Sequence, residues 1–184
     1  FIDNYKKNLK SLIDLIDIKS IEKVIDQLDI VEKNKGQVYV LGNGGSAATA
    51  SHMVNDLGAG LSRRDIKNLK IQSLSDNTAS CSALANDVGY ENIFYYQLKE
   101  KLRKDDLIIS ISCSGNSENI LKAVRYANSQ NTRTISFTGF DGGELKDISD
   151  INIHTDTSKG NYGLVEDIHM ILNHMIYSYY VSKG

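Results

Sequence analysis

Four side chains in this sequence have the types and spacings to work on a proton or a cation. His52 and Asp56 stand four apart. Residues at i and i+4 share one face of a helix, so both can address one atom. Glu166 and His174 stand eight apart. On a helix that interval advances about 12 Å and overshoots two turns by about 80°. The pair either converges on something between them or serves different neighbours. Two imidazoles and two carboxylates suit a divalent metal, and zinc accepts that ligand mix. The plainer readings are that Glu166 and Asp167 favour the start of a helix, and that His174 is a satisfied core histidine, as His169 is expected to be. No compact His-Glu-x-x-His motif is present.

Two small polar loops echo one another, Leu41-Gly42-Asn43-Gly44-Gly45-Ser46 and Ser112-Cys113-Ser114-Gly115-Asn116-Ser117. Each follows an apolar run and opens a helical stretch. In the second, Ser110, Ser112, Ser114 and Ser117 cluster around Gly115. A phosphate dianion wants many donors, and serine hydroxyls provide them without bulk. The helix start adds free N–H groups and the positive end of its dipole. No lysine follows, so this is not a Walker A loop. The plain alternative is a serine-rich turn with an N-cap. The first loop lets backbone approach a ligand closely, but it lacks the Gly-x-Gly-x-x-Gly spacing and by itself reads as a tight strand–helix turn.

These loops must be carried by alternating strands and helices. Strands are predicted at Gln37–Leu41, Leu69–Leu74, Leu107–Ser112, Thr132–Phe137 and Ile151–His154. Helices are predicted near Ser46–Leu57, Thr78–Ala85, Asn92–Leu102, Glu118–Asn128, Glu144–Ile148 and Leu164–Val181. Such alternation implies an α/β fold, a doubly wound parallel sheet of five strands with ligands beyond the carboxyl ends of the strands. Phe1–Lys33 reads as two helices with stripes Leu9, Leu12, Ile13, Ile16 and Ile21, Val24, Ile25, Leu28, separated at a Ser20 N-cap. They lie outside the alternation and are expected to pack on another subunit. The whole chain, 1–184, reads as one domain, with oligomerisation helices over 1–34 and an α/β core over 35–184.

Composition narrows the function classes. The chain is 184 residues long, 41% hydrophobic, with net charge −2, which gives no electrostatic case for nucleic acid or an acidic membrane. No apolar run approaches the roughly 18 residues of a membrane helix. The first ten residues carry Asp3, Lys6, Lys7 and Lys10 and do not read as a secretory signal. Two cysteines, Cys81 and Cys113, make no disulfide scaffold, so a reducing, cytoplasmic setting is expected. With no proline in the chain, glycine must make the turns.

Gly42-Asn43-Gly44-Gly45-Ser46-Ala47-Ala48, Asn86-Asp87-Val88-Gly89-Tyr90, the Ser112–Ser117 loop and Thr138-Gly139-Phe140-Asp141-Gly142-Gly143 together resemble the loops of the phosphoheptose isomerases, a family of the SIS (sugar isomerase) class. Order and spacing agree over essentially the whole chain. The resemblance implies a flavodoxin-like SIS fold, a homotetramer with sites at subunit interfaces, and isomerisation of sedoheptulose 7-phosphate to a heptose 7-phosphate for surface polysaccharide. It implies Asp56 as base and His174 as acid, with Glu166 near the chemistry. His52, Asp56, Glu166 and His174 fall at the positions that hold zinc and the acid–base pair. Ser112, Ser114 and Ser117, with the Cys113 backbone, would anchor phosphate, and Asn43, Gly44, Gly45, Asn86 and Asp87 would contact the sugar.

The chain departs from that family at three positions. Asp56 stands where glutamate is usual, Glu166 where glutamine is usual, and Gly60 where an arginine is usual, with Arg63 and Arg64 just beyond. A misplacement of about 1 Å can cost roughly a hundredfold in rate, so Glu166 is a candidate to take over part of the lost role. Two rivals follow: an isomerase of another sugar phosphate, such as a pentose 5-phosphate, and a non-catalytic SIS module that senses a sugar phosphate or docks on a partner.

Overall fold

The computed structural model describes all 184 residues. Two helices, α1 (Ile2–Asp14) and α2 (Ile18–Lys33), precede strand β1 (Gln37–Gly42). Then come α3 (Gly45–Val54), a π-helical turn (Asn55–Gly60), β2 (Lys70–Ser73), α4 (Thr78–Val88) and α5 (Ile93–Leu98). The second half runs β3 (Leu107–Ser112), α6 (Glu118–Ser129), β4 (Arg133–Phe140), α7 (Gly143–Ile148), β5 (Ile151–Asp156) and α8 (Tyr162–Lys183). The five strands form one parallel sheet in the order β2-β1-β3-β4-β5.

Strand side chains alternate between faces, and the sheet is apolar on both. Val38, Val40, Ile109, Ile111, Ile135 and Phe137 meet α2, α3 and α8 on one face. Tyr39, Leu41 and Ile108 meet α5, α6 and α7 on the other. The expected doubly wound α/β sheet is therefore present.

The apolar stripes of the N-terminal helices face the core of their own chain. Ile21, Val24, Ile25, Leu28 and Val31 of α2 are buried in the core of their own chain, and Leu9, Leu12 and Ile16 pack partly buried against it. Val24 and Leu28 are 0% exposed. An amphipathic stripe specifies a buried face and leaves open what buries it. The cap between the two helices is Asp17, which accepts from the Lys19 N–H at 3.0 Å. Ser20 instead donates its hydroxyl to Asp17 at 2.7 Å. The helix predicted at Asn92–Leu102 stops at Leu98, where Lys99 turns extended and Glu100 takes a positive φ of 63°. Strand β4 runs on to Phe140, paired with Asp156 of β5.

Candidate functional site

The carboxyl ends of β1 and β3 feed the two polar loops. At the second, Ser117 is the N-cap of α6. The Ser112 hydroxyl oxygen accepts from the Gly115 N–H at 3.1 Å, and that of Ser114 accepts from the Asn116 N–H at 3.3 Å. Both hydroxyls use an acceptor lone pair inside the loop and keep their O–H donors for a ligand. The turn after β4 braces the loop: Leu145 N–H donates to Gly115 O at 3.0 Å, and Glu144 N–H to the Asn116 side chain at 3.1 Å. Gly115 has φ +62°, and a Cβ there would collide with the Gly142 carbonyl, so only glycine fits.

At the first loop, Asn43 and Asn119 exchange both amide hydrogen bonds at 2.9 Å, and the Tyr90 hydroxyl donates to Asn43 at 2.8 Å. Asn119 is buried and fixes which way the Asn43 amide faces. Asn43, Ser46, Ser112, Cys113, Ser114, Ser117, Tyr162 and Glu166 line one cleft of about 170 Å³. Glu166 reaches it because position 45 is glycine; a Cβ there would run into the Glu166 carboxylate. Burial, joined by the Glu166 charge, pushes the Cys113 thiol up to about 11, so Cys113 enters the cleft as a neutral group. Asn86 and Asp87 lie exposed on α4, bonded to each other at 2.9 Å, outside the cleft. A larger polar cavity, about 570 Å³, lies around Asp105, Asp106, Arg133 and Asp150 and contains none of these residues.

Three of the four proton- or cation-handling side chains meet. His52 Nε2 lies 3.1 Å from His174 Nε2 and 3.2 Å from Asp56 Oδ2, and ligand atoms of all three lie within 4.8 Å of one another. Zinc bonds of roughly 2.0–2.1 Å make a tetrahedral edge of about 3.3 Å, which the two separations from His52 Nε2 match, so these three side chains could hold a divalent metal ion. Glu166 is not in this cluster. It belongs to the serine cleft, and the eight-residue interval on α8 resolves as two separate addresses. His169 is a core histidine, 0% exposed, with Nε2 3.4 Å from the Thr138 carbonyl; burial pushes it down to about 4.

Asp56 sits in the π-helical turn and is 9% exposed. Its Oδ2 also accepts from Asn173 Nδ2 at 2.9 Å, and its Oδ1 meets the Asn55 amide at 3.2 Å. Sequence reasoning missed Asn173, Asn119 and Tyr90. A signal existed for Asn173, an amide set in the apolar run Ile171-Leu172-Asn173 of α8. Gly60 is buried with the Tyr177 ring packed where its side chain would begin, and Arg64 donates to the Gly60 carbonyl at 2.9 Å.

The SIS domain sequence profile matches residues 1–139. A phosphoheptose isomerase from Helicobacter pylori (strain P12) is 36% identical over 174 residues, 93% of this chain and 85% of that protein. One from Helicobacter hepaticus is 36% identical over 160 residues, 85% of this chain and 79% of that one. The solved structure of a phosphoheptose isomerase from Francisella tularensis superposes with TM-score 0.86 at 25% identity, covering 97% of this chain and 93% of that one.

Proposed function

The chain belongs to the SIS-domain family and, within it, to the phosphoheptose isomerases, and from that premise we propose that it isomerises sedoheptulose 7-phosphate to D-glycero-D-manno-heptose 7-phosphate. The observation that carries this reading is the shared run of α3 and α8. Each helix gives one end to the serine cleft, through Ser46 and Glu166, and another to the cluster, through His52 with Asp56 and through His174. Along the two helices the ends are about 9 and 12 Å apart. A phosphorylated heptose chain, anchored by its phosphate, spans such an interval with its carbonyl end at the cluster.

Ketose–aldose isomerisation moves one proton between C1 and C2 through an enediol. A base takes a proton from C1, the electron pair flows toward C2, and the carbonyl oxygen takes up a proton. The enediol is then protonated at C2 while the C1 hydroxyl gives up its proton to become the aldehyde. In this reading Asp56 is the base. Its Oδ1 is the freer oxygen, with only the Asn55 amide at 3.2 Å, since Oδ2 is engaged by His52 and Asn173. His174 is the acid at the carbonyl oxygen. Ser112, Ser114 and Ser117 hold the phosphate, and Asn43, oriented by Asn119, reads a sugar hydroxyl. Zinc, if bound, would be held by His52, Asp56 and His174 and would polarise the carbonyl in place of the His174 proton.

A homotetramer with sites shared at subunit interfaces belongs to the same reading. Leu15, Ile18, Met175 and Tyr179 are exposed apolar residues available for contacts between copies, and Asn86 and Asp87 would reach a sugar there. No helix is long and apolar enough to cross a membrane. The reading places the protein in the cytoplasm, supplying heptose for surface polysaccharide. The test is incubation with sedoheptulose 7-phosphate and detection of the aldose by NMR. Product is expected, reduced by a chelator and restored by zinc. Binding of the ketose without product would favour a non-catalytic sugar-phosphate sensor.

A further inference from the structure

Asp56 is not placed by its own helix alone. The π-helical turn carries it past the regular end of α3, and its Oδ2 is caught from across the helix interface by Asn173 Nδ2 at 2.9 Å. Asn173 is 0% exposed. The amide has one sensible orientation: turned over, its oxygen would face a carboxylate oxygen. So placed, its own Oδ1 is buried without a hydrogen-bond partner. A buried amide that leaves an acceptor unpaired is a net burden on the fold. A leucine among Leu172 and Ile176 would fill the space without that burden. What the position supplies is therefore its single bond to Asp56.

We infer that Asn173 is a positioning residue for the isomerase reaction: it holds Asp56 Oδ2 beside His52 so that Oδ1 faces the substrate. Because Asn173 is joined through the backbone to His174, the same bond sets base and acid at a fixed separation. An aspartate is one methylene shorter than the glutamate usual here. A shorter carboxylate stays nearer its own backbone and needs a donor reaching over from α8. The inference rests on the isomerase reading above, and its test separates the two.

Asn173→Leu is expected to lower kcat for sedoheptulose 7-phosphate about tenfold or more, the usual scale for losing a partner that orients a ligating side chain. KM should stay within about twofold, since the serine cleft is untouched, and circular dichroism should stay native. Adding Asp56→Glu to Asn173→Leu should recover part of the loss, because the longer carboxylate reaches without help. Should Asn173→Leu not fold, Asn173→Ala carries the same comparison. A kcat within twofold of wild type overturns the inference. So does a kcat loss that tracks a lowered thermal midpoint and is not recovered by Asp56→Glu. Zinc affinity, read by competition with a chromogenic chelator, is the independent arm. If the wild type shows no turnover, the isomerase reading fails. The positioning role is then upheld by a tenfold weaker zinc affinity in Asn173→Leu and overturned by an unchanged one. A wild type that neither turns over nor binds zinc overturns both.

Discussion

Six consecutive residues, Ser112 to Ser117, make the serine cradle, whereas His52 and His174 of the cluster are separated by 122 positions. In the cradle, Ser112 and Ser114 are oriented by N–H groups two or three residues away, and a neighbouring turn braces the whole. In the cluster nothing local suffices. His52 and Asp56 share a face as an i, i+4 pair, but His174 meets them only because α8 packs against α3. The contrast teaches that the proposed anchoring end of the site is a property of one loop, while the proposed reacting end is a property of helix packing. Changes at the two ends should therefore be separable, one acting on affinity and the other on turnover.

The widest separation is expected from Asp56→Asn, which removes proton-accepting ability with little change in size. Turnover should fall about a thousandfold, with calorimetric affinity for sedoheptulose 7-phosphate kept within a few-fold; equal loss of both would erase the distinction. Acid tests what joins the two ends. His169 lies on α8 between Glu166 and His174, with its folded value near 4 against 6.5 unfolded. Below pH 6.5 the unfolded chain takes up a proton that the folded chain refuses, so stability falls as pH drops from 6.5 toward 4 and is unaffected above. The full gap is worth about 3 kcal/mol at roughly 1.4 kcal/mol per unit. Urea unfolding across this range should show that slope in the wild type and lose most of it in His169→Gln.

A smaller effect, confined to the cradle, is expected from Ser114→Asp. A negative charge set against phosphate should weaken binding about a hundredfold, while circular dichroism stays native. Glu166→Gln should be gentlest. Like unit charges about 4 Å apart in water cost about 1 kcal/mol, so removing the carboxylate from the cradle should lower KM about fivefold and leave kcat nearly unchanged. A large kcat loss in Glu166→Gln would transfer Glu166 from the anchoring end to the chemistry.

That division also governs what the sequence disclosed. The cradle and its helix start were legible because six contiguous residues carry them, and the five strands were legible because each is a short apolar run. The role of α2 was not: the stripe Ile21, Val24, Ile25, Leu28 marks a buried face, but periodicity does not say whether the covering sheet belongs to the same chain. His52 with Asp56 was legible as an i, i+4 pair. The separation of Glu166 from His174 needed the packing of α8, which puts one in the cleft and the other at the cluster. Asn173 was hidden for a similar reason. Its meaning lies in the distance to Asp56, and no local pattern encodes a contact across 117 positions. Ser20 and Asp17 are both good N-cap types, and only the chain direction at the turn, which makes Asp17 the cap, decides between them.

Helix α1 contributes no fully buried residue, yet its Tyr5 hydroxyl donates to Asp167 at 2.7 Å, and that bond, followed by burial and the acidic neighbours, raises Tyr5 to about 12. Asp167 adjoins Glu166. Elements with little buried surface open first and most often in native-state fluctuations. A helix with little buried surface is thus tied to the residue beside the cleft wall. Each brief detachment of α1 breaks that bond and removes one constraint from the first turn of α8, whose Leu164 and Val165 stay anchored in the core.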